Sequence, residues 1–210
     1  MKILVLGATG ATGSHLVNQA VARGMAVTAL VRDAKKLVPR PGLTIIEGLP
    51  TQSPDLGRAL AGVDAVLSAL GPRAKADPIC PDTATALVAA MAEAGVKRLI
   101  WLSASGVGDS REAMNAASFV FGRIIIPLLL AKPYASHARA EAIVGASALD
   151  WTVLRPLELT EKPTGKAVAV TCTPEAKVES LKIARADLAG FMLDEVERRA
   201  WLRQMPLVHG

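Results

Sequence analysis

The sequence predicts an α/β fold: one doubly wound, mostly parallel sheet with helices on both faces. Three observations carry that expectation. The chain opens on a strand, a glycine turn and a helix in immediate succession. Short branched, apolar runs then alternate with alanine-rich amphipathic runs to the end, as βα units do. The composition is 51% apolar but only 3% aromatic, so Ala, Val and Leu must fill the core. That suits helices packed on a parallel sheet. The 210 residues are expected to form a single domain, 1–210. A small substrate-side region is expected from about 105–135 and 155–180.

Taken in order, Lys2 to Leu6 reads as a buried strand. Gly7, Gly10 and Gly13 follow at three-residue spacing, and His15 to Ala22 is amphipathic. This arrangement suits the pyrophosphate of a dinucleotide. The first glycine allows the tight turn, the second lets backbone approach phosphate, and the third lets helix and strand pack closely. Unpartnered amides at the helix start, and the positive end of its dipole, face the anion. Thr9 and Thr12 add hydroxyls beside the turn.

Ala26 to Val31 is the second strand, ending at Arg32-Asp33. In such a sheet this end lies beside the adenosine ribose. An acid there binds the 2′-OH of NAD, whereas a guanidinium pairs with the 2′-phosphate of NADP. Arg32, with Lys35 and Lys36 close behind, favours NADP (NADPH) as cofactor. Asp33 either caps the turn that follows or serves as the ribose acid.

Leu43 to Glu47 is a short strand and Asp55 to Leu60 a helix. Ala61 to Gly71 gives a turn and the fourth strand, with Leu70 and Gly71 at its carboxyl end. Pro81 to Ala94 is helical and stops at Gly95. Val96 to Ser103 is the fifth strand. Ser103 and Ser105, at its carboxyl end, are either site residues or polar turn residues. Arg111 to Ala131 is ambiguous, broken near Pro127: a flap over the substrate, or part of a subunit contact. Tyr134 to Ser147 is helical, Trp151 to Leu154 a strand followed by Arg155-Pro156, Ala167 to Thr171 a strand, Arg185 to Arg198 a helix, and Trp201 to Val208 extended.

Net charge is +5, but no dense basic cluster with interleaved aromatics occurs, which argues against nucleic acid. The greasiest run, Phe119 to Ala131, contains Arg123 and Pro127 and is too short to span a bilayer. Cys80 and Cys172 form no metal or redox motif, and the opening residues are a core strand rather than a leader. A cytoplasmic protein is expected.

G-A-T-G-A-T-G (7–13), V-T-A-L-V-R-D (27–33), A-G-V-D-A-V-L-S-A-L-G (61–71), S-A-L-D-W-T-V-L-R-P (147–156) and I-A-R-A-D-L-A-G-F-M-L (183–193) resemble the atypical short-chain dehydrogenases/reductases. Within them the likeness is to NAD(P)H-binding, NmrA-like proteins and biliverdin IXβ reductase/flavin reductase. The resemblance implies a Rossmann domain that binds NADPH and transfers hydride to a planar conjugated acceptor such as a flavin, quinone or tetrapyrrole. Gly7, Thr9, Gly10, Ala11, Thr12 and Gly13 would wrap the phosphates and Arg32 would hold the 2′-phosphate. Leu70 and Gly71 would line the nicotinamide ribose, and Pro156 would border the nicotinamide face. Ser103 and His137 would be the catalytic candidates. A homodimer is left open.

The sequence departs from these relatives in three places. Ala104 stands where the flavin reductases carry serine. Leu49 replaces the acid that commonly follows the third strand. The superfamily's Tyr-x-x-x-Lys dyad is missing, because Tyr134 is the chain's single tyrosine and Ala138 stands four residues on. Hydride delivery to a carbonyl leaves an alkoxide that needs a proton donor, whereas a reduced flavin or quinone delocalises its charge. The missing dyad therefore favours such acceptors, or a non-catalytic NADP(H) sensor of the NmrA-like type, and weakens an epimerase reading. His137 and Glu141, four apart, share a helix face, either as a proton donor with its orienting acid or as a surface ion pair. Arg155 either meets a substrate carboxylate or anchors a helix carboxylate. Trp101 and Trp151 are expected in the core.

Overall fold

A computed structural model describes residues 1–71, 79–110, 131–162, 168–171 and 180–210. The expected Phe119 to Ala131 segment lies outside them except for Ala131, as does Cys172. The strands are β1 (Lys2–Leu6), β2 (Ala26–Val31), β3 (Leu43–Glu47), β4 (Ala65–Ser68), β5 (Arg98–Leu102), β6 (Asp150–Pro156), β7 (Glu158–Thr160), β8 (Ala169–Thr171), β9 (Lys182–Ala184) and β10 (Leu207–His209). The helices are α1 (Ala11–Ala22), α2 (Ser53–Leu60), α3 (Ile79–Glu93), α4 (Ala131–Gly145) and α5 (Arg185–Arg198).

Eight strands form one sheet in the order β3-β2-β1-β4-β5-β6-β10-β8. The pairings from β3 through β10 are parallel, and β8 joins antiparallel. The order reverses beside β1: the chain steps outward to β2 and β3, then returns to β4 on the other side. That reversal opens a crevice at the carboxyl ends of the strands, where ligands of such sheets bind.

Successive strand side chains point to opposite faces, and β1 shows the consequence. Ile3 and Val5 join a core with Leu16, Val17, Met192 and Leu193, under α1 and α5. Leu4 and Leu6 join a second core with Leu56, Leu87, Met91 and Val144, under α2, α3 and α4. A strand buried on both faces needs apolar residues throughout, which is why β1 from Ile3 to Leu6 and β4 from Ala65 to Leu67 are apolar at every position. Trp101 and Trp151 lie in the second core, 0% and 6% exposed.

Three local outcomes differ from expectation. Helix α1 starts at Ala11 rather than His15, because Gly10 takes the extended N-cap conformation. A separate two-stranded parallel ribbon, β7 with β9, was not anticipated; three residues are too few to show a period of two. The C-terminal extended stretch is a turn followed by the short β10, which pairs with both β6 and β8.

At the amino end of the sheet, Arg98 (4% exposed) donates to the Asp150 carbonyl and Thr152 Oγ1 at 2.9 Å, and to Glu195 Oε1 at 3.0 Å. The Glu195 carboxylate also accepts the amides of Ala200 and Trp201. This buried pair ties β5, β6 and α5 together, away from the crevice.

Candidate functional site

The glycine turn is built as its spacing implies. Gly7 leaves β1 at φ +78°, a left-handed conformation, and a Cβ there would lie 2.8 Å from the Ala69 backbone. Gly13 is the tightest point: a Cβ would lie 2.0 Å from the Gly7 carbonyl oxygen and 2.9 Å from Ala8 Cα. The Gly10 amide donates to the Gly7 carbonyl at 2.9 Å, closing the turn. No side chain caps α1 and no acidic residue occupies its first turn. Its opening amides therefore face outward with a positive dipole end and nothing to repel an anion.

An open cleft runs along this turn. It is lined by Gly7, Thr9, Gly10, Arg32, Leu70 and Gly71, together with Ala8, Leu30, Val31, Pro50, Ala69 and Ile79. Six of the expected cofactor residues therefore meet in one place. Ala11, Thr12 and Gly13 form the adjoining first turn of α1 and do not line the cleft. Ser103, His137 and Pro156 lie outside its lining too. Pro50 is the wall residue the sequence reading passed over. It stands where β3 gives way to α2, so the carboxyl-end rule, applied to the third strand as to the others, points to it.

The end of the cleft beside β2 has a distinctive charge arrangement. Arg32 is exposed, lines the cleft, and has no hydrogen-bond or ion-pair partner among the described residues. Both neighbouring carboxylates are turned to backbone amides. Asp33 Oδ1 accepts Lys35 N–H at 3.1 Å, capping the short 3₁₀ turn Ala34–Lys36. Asp33 therefore fills the capping role. Glu47 Oε2, at the end of β3, accepts Ala34 N–H at 2.9 Å. Between β3 and α2, next to Pro50, Asp55 Oδ2 accepts Leu49 N–H at 2.8 Å and Arg58 donates to Asp55 at 2.7 Å. The Leu49 amide and Arg58 hold the Asp55 carboxyl below the usual range.

The catalytic candidates sit on neighbouring elements. Ser103 leaves β5 with its amide bonded to the Leu154 carbonyl; it is 5% exposed and its Oγ has no partner. Pro156 ends β6, and its carbonyl accepts the Ser105 amide at 3.0 Å. His137, on α4, is 7% exposed with Nδ1 unpartnered, and burial pushes it down to about 4. It is neutral at neutral pH. Glu141 does not orient it, nor is either residue on the surface. Glu141 clamps Arg155 at 2.7 and 3.0 Å, and Arg155 also donates to Asp109 at 2.5 Å. Arg155 thus anchors a helix carboxylate, holding α4 and the loop after β5 against β6.

A second groove lies beyond that loop, lined by Gly106, Val107, Gly108, Ala131, Tyr134, Ala135 and Ala138. Tyr134 and Ala138 face it together, as an i, i+4 pair must. Among the described residues no lysine lines it.

Comparison with known proteins agrees with this geometry. A family model described as NAD(P)H-binding matches residues 7–199. An uncharacterised chloroplastic protein of Arabidopsis thaliana is 33% identical over 80% of this chain and 62% of its own length. A (4-alkanoyl-5-oxo-2,5-dihydrofuran-3-yl)methyl phosphate reductase of Streptomyces griseus is 33% identical over 73% of this chain and 46% of its own length. The chain thus spans less than two thirds of these curated relatives. Among solved structures, a short-chain dehydrogenase/reductase of Veillonella parvula in complex with NADP superimposes with a TM-score of 0.82 at 18% identity, covering 100% of this chain and 94% of that one. At that identity the likeness shows the fold alone.

Proposed function

The chain belongs to the NAD(P)H-binding family, with the fold of the atypical short-chain dehydrogenases/reductases, and from that premise we propose an NADPH-dependent reductase of a planar conjugated acceptor. The observation that carries the cofactor choice is the Arg32 guanidinium in the cleft, without a hydrogen-bond or ion-pair partner among the described residues, while Asp33 and Glu47 each accept a backbone amide. A guanidinium fork matches a phosphate bidentately. The cradle fits the group: Gly7, Thr9 and Gly10 line the cleft, and the opening turn of α1 beside them has neither a side-chain cap nor an acidic residue.

In this reading Gly7, Thr9 and Gly10, with the first amides of α1 from Ala11 to Gly13, hold the pyrophosphate. Leu70 and Gly71 border the nicotinamide ribose. Bound NADPH supplies a hydride. The protein's contribution is orientation, which can lower a barrier by several kcal/mol. Ser103 and Pro156, at the carboxyl ends of β5 and β6, would border that position, and Ser103 would offer a hydroxyl that is unpartnered among the described residues. His137, neutral and buried, would act as a neutral hydrogen-bond donor rather than a charged acid. Tyr134 has no lysine four residues on to lower its pKa, and burial raises it further. Acceptors that need no strong acid, such as flavins, quinones and tetrapyrroles, therefore suit the site.

The same reading treats 1–210 as one domain and takes 105–135 and 155–180 as its substrate side. The free, buried Cys80 thiol suits the cytoplasm. No described helix is long and apolar enough to cross a membrane.

The test is NADPH oxidation followed at the nicotinamide absorbance with riboflavin, FMN and menadione in turn. Turnover with one of them is expected. Tight NADPH binding with no turnover across the panel would instead favour a sensor of cofactor state.

A further inference from the structure

The exposed acid at the end of the third strand has no part in the family motifs, yet its geometry reaches the adenosine end of the cleft. We propose that Glu47 is a positioning residue for cofactor choice: it pins the turn after β2 so that Asp33 is kept from the ribose and Arg32 is left for the 2′-phosphate. This rests on the NADPH reading above.

Residues 32 and 33 are adjacent and chemically opposed. Arg32 favours a 2′-phosphate. A free Asp33 carboxylate would favour a ribose 2′-OH and repel a phosphate. Which of them governs depends on where the turn from 34 to 36 sits. Besides its own backbone bonds, Lys36 N–H to the Asp33 carbonyl and Leu37 N–H to the Ala34 carbonyl, two side-chain bonds set it, Glu47 Oε2 accepting Ala34 N–H at 2.9 Å and Asp33 Oδ1 accepting Lys35 N–H at 3.1 Å. They are consecutive amides of one three-residue turn, so the first supports the second. With Ala34 held against β3, the Lys35 amide is presented to Asp33, and Asp33 Oδ1 stays engaged in the turn.

Glu47 is itself fixed. Its backbone pairs with Val31 across the β2–β3 ladder, and its carbonyl accepts Arg58 Nη2 at 3.0 Å. Arg58 in turn pairs with Asp55, which holds the Leu49 amide. The acid that pins the Arg32 wall is thus tied to the network that holds the Pro50 wall. Across the register, Val31 and Glu47 are opposite one another, one residue before Arg32. The acid reaches the turn and makes no hydrogen bond or ion pair with Arg32.

The charge on Glu47 has an opposite effect, since a carboxylate near a phosphate repels it. Two variants separate these contributions. Glu47→Gln keeps an oxygen that can accept Ala34 N–H and removes the charge. Glu47→Ala removes both. Dissociation constants for NADPH and NADH are measured on the full chain by fluorescence titration, and the readout is their ratio. A general loosening of the protein would weaken both cofactors and leave the ratio alone.

In Glu47→Ala the preference for NADPH is expected to fall by roughly fivefold or more, the scale of one lost hydrogen bond to a charged group. Part of that fall should be a gain in NADH binding as Asp33 is released. Glu47→Gln should keep the preference at or above the natural level. Adding Asp33→Ala to Glu47→Ala should restore it. An unchanged ratio in Glu47→Ala, or an equal fall in Glu47→Gln, overturns the proposal. Arg32→Ala keeps the two readings distinguishable. If it leaves the ratio unchanged, the NADPH assignment itself fails; if it collapses the ratio while Glu47→Ala does not, only the role of Glu47 fails.

Discussion

Gly13→Ala perturbs the molecule at its tightest point, and the size of the effect follows from the contacts. The added methyl would lie 2.0 Å from the Gly7 carbonyl oxygen, 2.6 Å from its carbonyl carbon and 2.9 Å from Ala8 Cα. All three are backbone atoms of the phosphate turn, so no side chain can swing away. The first turn of α1 must retreat by roughly 1 Å or more before these become ordinary contacts. That movement is opposed by the core of Leu16, Val17 and Ala20 against β1. Overpacking of this kind costs about 1–3 kcal/mol. For a chain of 210 residues each kcal/mol lowers the melting temperature by about 2–4 °C, so a fall on the order of 5 °C is expected. The same displacement carries the helix amides away from the anion, and NADPH affinity should drop by roughly tenfold or more. Thermal melting and NADPH titration of the same preparation measure both. Gly57→Ala is the control: it lies in α2 with nothing within 4 Å of its added methyl, and should stabilise by about 0.5–1 kcal/mol. If Gly13→Ala melts with the natural protein and binds NADPH undiminished, the packing role assigned to the third glycine is wrong.

Arg32→Ala should weaken NADPH by about tenfold or more and NADH little, from loss of a charge-assisted contact; equal losses in paired titrations would refute the assignment. Tyr134→Phe should leave any reductase rate within about threefold, checked by steady-state kinetics with the best acceptor; a collapse would make its hydroxyl a proton donor. Arg98→Met strands the Glu195 carboxylate, both side chains being 5% exposed or less, and should cost about 3–5 kcal/mol in urea unfolding, with Glu195→Leu added in the same chain recovering part of it. His137 has a folded pKa of about 4 against 6.5 unfolded, so between those values the unfolded chain takes up a proton that the fold refuses. Stability should therefore fall as pH drops from about 6.5 to about 4, by on the order of 3 kcal/mol at most. His137→Leu should flatten that slope in urea titrations across the range.

Local chemistry made much of this protein legible in its residues. β1, β2, β3 and α5 have the limits their apolar runs suggest. The glycine turn could be assigned to its job because turn, close approach and packing each demand a missing Cβ, a requirement written in residue type and spacing alone. The fold class followed from alternation of strand and helix patterns, since a parallel sheet needs crossovers. The end of β2 was marked by Arg32, but its meaning was not, because a charged residue's role depends on which partners the fold brings to it. That Asp33 caps the turn, and that Glu47 reaches the same turn, emerged only when the amides at Lys35 and Ala34 were placed. Glu141 shows the same limit. Helical spacing offered it His137, and tertiary packing gave it Arg155 from a strand 14 residues away. Period and composition determine which side faces inward, because that depends on near neighbours in the chain. Which charges meet depends on where distant segments are brought together, and only the assembled sheet decided that.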